Sequence, residues 1–143
     1  MNRRIFKEFS GRFSQCTTSD LCSKLVQDLK DAFGRERTLR GKKEALILMQ
    51  SAVRLLGELC QQEAFQQSGT ILEQLIHLDP SDAHPYVLLS ELYLHDIKNL
   101  RLAINVARQA VSVAEKSGHY FNLASGQLIR AALLQGDYAL VID

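Results

Sequence analysis

A chain of 143 residues with a hydrophobic fraction of 46% can build one packed domain and is too apolar to be disordered throughout. It has no apolar run near the roughly 20 residues of a membrane-spanning helix, and that excludes this class. Net charge is only +1, but residues 1–43 carry eleven Lys and Arg against five Asp and Glu, while residues 44–143 carry six against eleven. The division reads as a basic N-terminal helical arm with its connector, 1–43, and a mildly acidic body, 44–143.

The arm opens with an amphipathic stretch. Ile5, Phe6, Phe9 and Phe13 share one side of a helix, and Arg3, Arg4 and Lys7 lie opposite. This is a core or docking helix, with a mitochondrial targeting signal as the minor alternative because Arg and Ser are frequent and Glu8 is its single acid. Thr17-Thr18-Ser19-Asp20 then starts a helix, since short oxygen-bearing side chains accept from orphan first-turn amides. Leu21, Leu25, Val26, Leu29 and Phe33 follow at helical spacing, Gly34 is the expected C-terminal cap, and Arg35–Lys43 is a basic connector.

In the body, Glu44–Gln61 carries an apolar stripe of Leu46, Met49, Val53, Leu56 and Cys60, and Glu63–His77 carries Phe65, Ile71, Leu72 and Leu75. Asp79-Pro80-Ser81-Asp82 is a turn. Helices are expected over Ala83–His95, Asn99–Ser117 closing at Gly118, and Tyr120–Gln135, with a short last helix begun by Gly136-Asp137. No alternating strand pattern interrupts them, so the fold class is all-α, with short connections that make successive helices antiparallel.

Phe65, Ser68, Leu72, Leu75 and the closing Leu78-Asp79-Pro80 resemble the second helix of a tetratricopeptide repeat (TPR). Tyr86, Leu89, Ser90 and Tyr93 resemble the first helix of the next repeat, and Ala103, Ala107 and Ala110 its second, with a one-residue insertion near Asn99. The resemblance covers about two and a half repeats over 44–143 and implies an α-α superhelix of helix-turn-helix repeats with an extra N-terminal arm. It implies close helix approach at Ser90, Ala103, Ala107 and Ala110. It also implies a groove that takes a partner peptide or helix, here lined by Gln50, Val53, His84, Val87, Glu91, Leu94 and Arg130, with Glu91 and Arg130 placed to pair. Leu75–Tyr93 further resembles the degenerate repeats of plant pentatricopeptide proteins, which act on RNA.

The function expected is therefore a protein-binding scaffold or adaptor. RNA binding through the basic arm (Arg3, Arg4, Lys7) is the alternative, disfavoured by the acidic body. Neither catalysis nor a cofactor is expected, since the eight glycines form no phosphate-cradling loop and Cys60 has no catalytic signature around it. No metal is expected either: His77, Asp79, Asp82 and His84 cluster at the Pro80 turn, but turn and capping chemistry accounts for the two aspartates. Three cysteines without metal spacing fit a reducing, cytoplasmic setting. The last helix stops after barely one or two turns, which would leave Leu123, Leu128, Ala131 and Leu134 partly uncovered. A second copy, a partner chain or further residues would complete that edge.

Overall fold

The computed structural model describes residues 1–59 and 63–136. Cys60, and the last helix expected from Asp137 with Tyr138 and Val141, lie outside the described residues. The described residues form helices joined by short connections, with no strand among them: α1 Arg3–Ser14, α2 Ser19–Arg35, α3 Leu39–Leu59, α4 Ala64–Leu78, α5 His84–Glu91 continued by a π-turn Leu92–Asp96, α6 Leu100–Ser117 and α7 Phe121–Gln135. Contacts divide the chain into two compact units, Met1–Leu78 and Asp79–Asp143. The charge boundary at 43/44 thus falls inside α3 of the first unit.

In the first unit α3 packs between α2 and α4, and α1 lies on both α2 and α3. The start of α2 follows the sequence: Thr18 Oγ1 accepts from the Leu21 amide at 3.3 Å. Its end does not. Gly34 stays inside the helix, which runs to Arg35 and closes on Glu36 through bonds to the Ala32 and Phe33 carbonyls. The expected connector is shorter too, because Thr38 Oγ1 caps the Gly41 amide at 3.0 Å and so starts α3 at Leu39. The interior is filled by leucine-sized side chains, among them Leu25, Leu29, Leu46, Leu72 and Leu75. Gly57 admits the Phe65 ring so closely that an added Cβ would stand 2.8 Å from it.

In the second unit α5 packs on α6, α6 on α7, and α5 also meets α7. The interior here is built on alanine. Ala83, Val87, Ala110, Ala114 and Ala124 form one cluster, and Leu94, Ala103, Ile104 and Ala131 another. Small side chains let helix backbones approach, and Ser90, Ala103, Ala107 and Ala110 are all fully buried, as expected of crossing points. Ser90 Oγ donates to the Ala103 carbonyl at 2.7 Å and accepts from Gln127 Nε2 at 3.1 Å, so one hydroxyl ties α5, α6 and α7.

The α5 helix ends in a way its apolar pattern does not announce. At Leu92–Asp96 the bonding widens to the π form, with the Ile97 amide donating to the Leu92 carbonyl at 2.9 Å. A π-turn takes up one residue more than an α-turn. Lys98 then adopts φ 62°, and Asn99 caps α6 by accepting from the Leu102 amide at 3.2 Å. Glycines in the left-handed conformation close α6 and α7, Gly118 at φ 76° and Gly136 at φ 81°.

Candidate binding surfaces

The residues expected to line one groove are divided between the two units. In the first, Gln50 is buried in the α3–α4 contact, where Ser68 Oγ donates to its backbone carbonyl at 3.2 Å and its own Nε2 donates to Ser51 Oγ at 2.8 Å. Val53 lines a cavity of about 330 Å³ bounded by α2, α3 and α4. Phe33, Leu46, Met49 and Ile71 share its apolar lining, and Lys30, Gln67, Thr70 and Gln74 are its polar members. Those four polar side chains are exposed, so they sit at the rim.

In the second unit Val87 and Leu94 are interior residues, each in one of the two alanine-rich clusters, and neither presents a side chain to a partner. The stripe that places them on a groove is the same stripe that packs α5 onto α6. His84 stacks on Tyr120, ring centres 5.2 Å apart and planes 16° from parallel. Tyr120 holds φ 65° there, a strained conformation for an aromatic residue. Glu91 is half-buried and Arg130 exposed, and the two form no ion pair among the described residues.

Arg130 belongs instead to an outward face of α7. Leu123, Arg130 and Leu134 follow one another at spacings of seven and four, which aligns them on one side of a helix, and Ile129 and Leu133 adjoin them. All five are exposed, Leu134 at 62% and Leu133 at 46%. Leu128 and Ala131, expected to be uncovered with them, are half-buried and buried. Sequence reasoning found Leu123 and Leu134 and missed Ile129 and Leu133. The signal was present: α7 carries apolar residues around more of its circumference than packing on α5 and α6 can cover.

Arg3, Arg4 and Lys7 are exposed on α1, which is fixed through Phe9, its one buried residue. Arg12 lies over the Phe9 ring, 5.8 Å from its centre, and pairs with Asp28 at 2.8 Å. Between α1 and α2, burial pushes the Cys22 thiol up to about 11, helped by its hydrogen bond to and charge interaction with Cys16. Cys16 in turn donates to the Arg12 carbonyl at 3.2 Å. At the Pro80 turn Asp79 Oδ1 accepts from the Ser81 hydroxyl at 2.6 Å, and Asp82 Oδ1 from the His84 amide at 3.1 Å. Among the described residues no three His, Cys, Asp or Glu side chains gather as metal ligands would, and no helix is long and apolar enough to cross a membrane. No family model, curated protein or solved structure matches the chain.

Proposed function

We propose that this chain is a tetratricopeptide-like helical repeat module that binds another protein, a scaffold or adaptor rather than an enzyme. The observation that carries the reading is the α7 face, where four large apolar side chains stand in water around Arg130. A contiguous exposed apolar patch marks a surface meant to be covered. Arginine, with tryptophan and tyrosine, is one of the residue types enriched among the anchors of interfaces. The repeat assignment is supported by fully buried Ser90, Ala103, Ala107 and Ala110 at the helix contacts, and by the π-turn, which supplies the extra residue that the repeat pattern near Asn99 requires.

In this reading a partner peptide or helix lays aliphatic side chains against Leu123, Ile129, Leu133 and Leu134 and brings a carboxylate to Arg130. The setting proposed is cytoplasmic. Capture experiments with the wild-type chain and with Leu134→Glu, each with and without nuclease, test the proposal. Partners retained by wild type, indifferent to nuclease and lost with Leu134→Glu support it. Capture that disappears with nuclease, or survives Leu134→Glu unchanged, overturns it. The second reading, RNA binding through the arm, rests on the exposed Arg3, Arg4 and Lys7. It predicts the nuclease-sensitive outcome.

A further inference from the structure

The cavity in the first unit has a chemistry separate from the α7 face. Its lining is apolar on all three helices: Phe33 from α2, Leu46, Met49 and Val53 from α3, and Ile71 from α4. At its rim Lys30 has no ion pair, and the Gln67 and Gln74 carboxamides have no hydrogen-bond partner, among the described residues. Among the described residues no aspartate or glutamate lines it, and the one charge they bring is the Lys30 ammonium. Thr70 spends its proton on the Gln66 carbonyl at 3.2 Å and keeps only acceptor capacity.

We propose that this cavity is a binding site for a small monocarboxylate with a compact aliphatic or aromatic body. Size sets the first limit, because about 330 Å³ lies at the small end of ligand sites, which run from roughly 300 to 1,000 Å³. The apolar lining selects the body. A single ammonium flanked by neutral carboxamides selects one negative charge, whereas a doubly charged phosphate group is ordinarily met by arginine forks or several cations. The carboxylate lies toward Lys30, and Gln67 and Gln74 donate to it or to a neighbouring polar atom.

The chain contains only two methionines, and one of them, Met49, lies in the cavity lining. The 143-residue chain labelled with carbon-13 at the methionine methyls therefore gives two signals, Met49 at the site and Met1 away from it. Titration with octanoate, 1-octanol and octylammonium separates charge from apolarity. Octanoate should shift Met49 saturably, with Met1 unmoved, and bind about two- to fivefold tighter than octanol, the range one partly exposed ion pair supplies. Octylammonium should be weakest. Lys30→Gln should bring octanoate to the octanol level, and Gln74→Glu should weaken octanoate while sparing octanol. Equal affinities for all three probes, parallel shifts of Met1 and Met49, no Met49 shift, or an octanoate preference that survives Lys30→Gln would each overturn the proposal.

Discussion

Ser90 shows how much one side chain decides in the second unit. Its hydroxyl donates to Ala103 and accepts from Gln127, and all three residues are fully buried. Ser90→Ala should therefore cost about 1–3 kcal/mol, because the Gln127 amide loses its partner in the interior and the Ala103 carbonyl loses the donor it has besides its helix bond. Gln127→Met should cost less, because the other polar atom of that side chain, Oε1, is already buried without a partner. Urea denaturation of the two variants checks the order, and an equal or greater loss for Gln127→Met would refute it. Ala107 is fully buried in α6, so Ala107→Leu should overpack the site and cost about 1–3 kcal/mol, read as a lowered melting midpoint. In the first unit Cys22 is both buried and resistant to ionisation, with its thiol at about 11. Thiolate is the reactive form, so iodoacetamide at pH 8 should leave Cys22 unmodified in native protein and alkylate it once urea is added. Because the folded pKa is raised above its unfolded value of 9.0, Cys22 favours the native state below about pH 9. That contribution fades as pH climbs from 9 through 11.

At the scale of elements, helix existence was legible from apolar spacing, and so were the ends marked by Thr18, Pro80 and Gly118. The start of α3 was hidden because Thr38 stands alone in a run of basic residues, where charge draws attention away from a single capping hydroxyl. The π-turn was legible only as an extra residue, since widening a helix by one position leaves composition unchanged. Two of the expected groove residues, Val87 and Leu94, turn out to be buried for a related reason. Val87 and Leu94 recur at a helical period, and periodicity reveals a stripe without saying whether it faces a neighbouring helix or a partner. The arm poses the same question with charge. Arg3, Arg4 and Lys7 occupy the exposed side of α1, while Phe9 fixes the other side to the first unit. If the arm engages an anionic partner, affinity should fall steeply with salt, because exposed charges are screened beyond roughly 10 Å at 0.1 M. Replacing all three cations with glutamine should flatten that dependence. Binding indifferent to both changes would leave α1 a packing helix with a solvated face.

Across the whole molecule the two units are built from different material, and this ought to divide their stability. Among the bulkiest fully buried side chains, Leu25, Leu29, Leu46, Val53, Leu72 and Leu75 belong to the first unit, while the second has Val87, Leu92 and the polar Gln127. The alanines that fill the second unit allow close helix contact but remove less apolar area from water, at about 25 cal/mol per Å². Native-state hydrogen exchange should accordingly show α5–α7 opening at a lower free energy than α2–α4. Equal protection of α3 and α6 would mean that the units unfold as one and that the core difference has no consequence. The unit expected to open first also carries the exposed α7 face, so a partner bound there, as proposed, should act on its stability directly. A ligand present at a hundred times its dissociation constant, and bound only by the folded form, raises stability by about 2.7 kcal/mol. Saturating partner should therefore slow exchange in α5–α7 and leave α2–α4 nearly unchanged. Protection appearing in the first unit alone would place the partner elsewhere and remove the α7 face from its role.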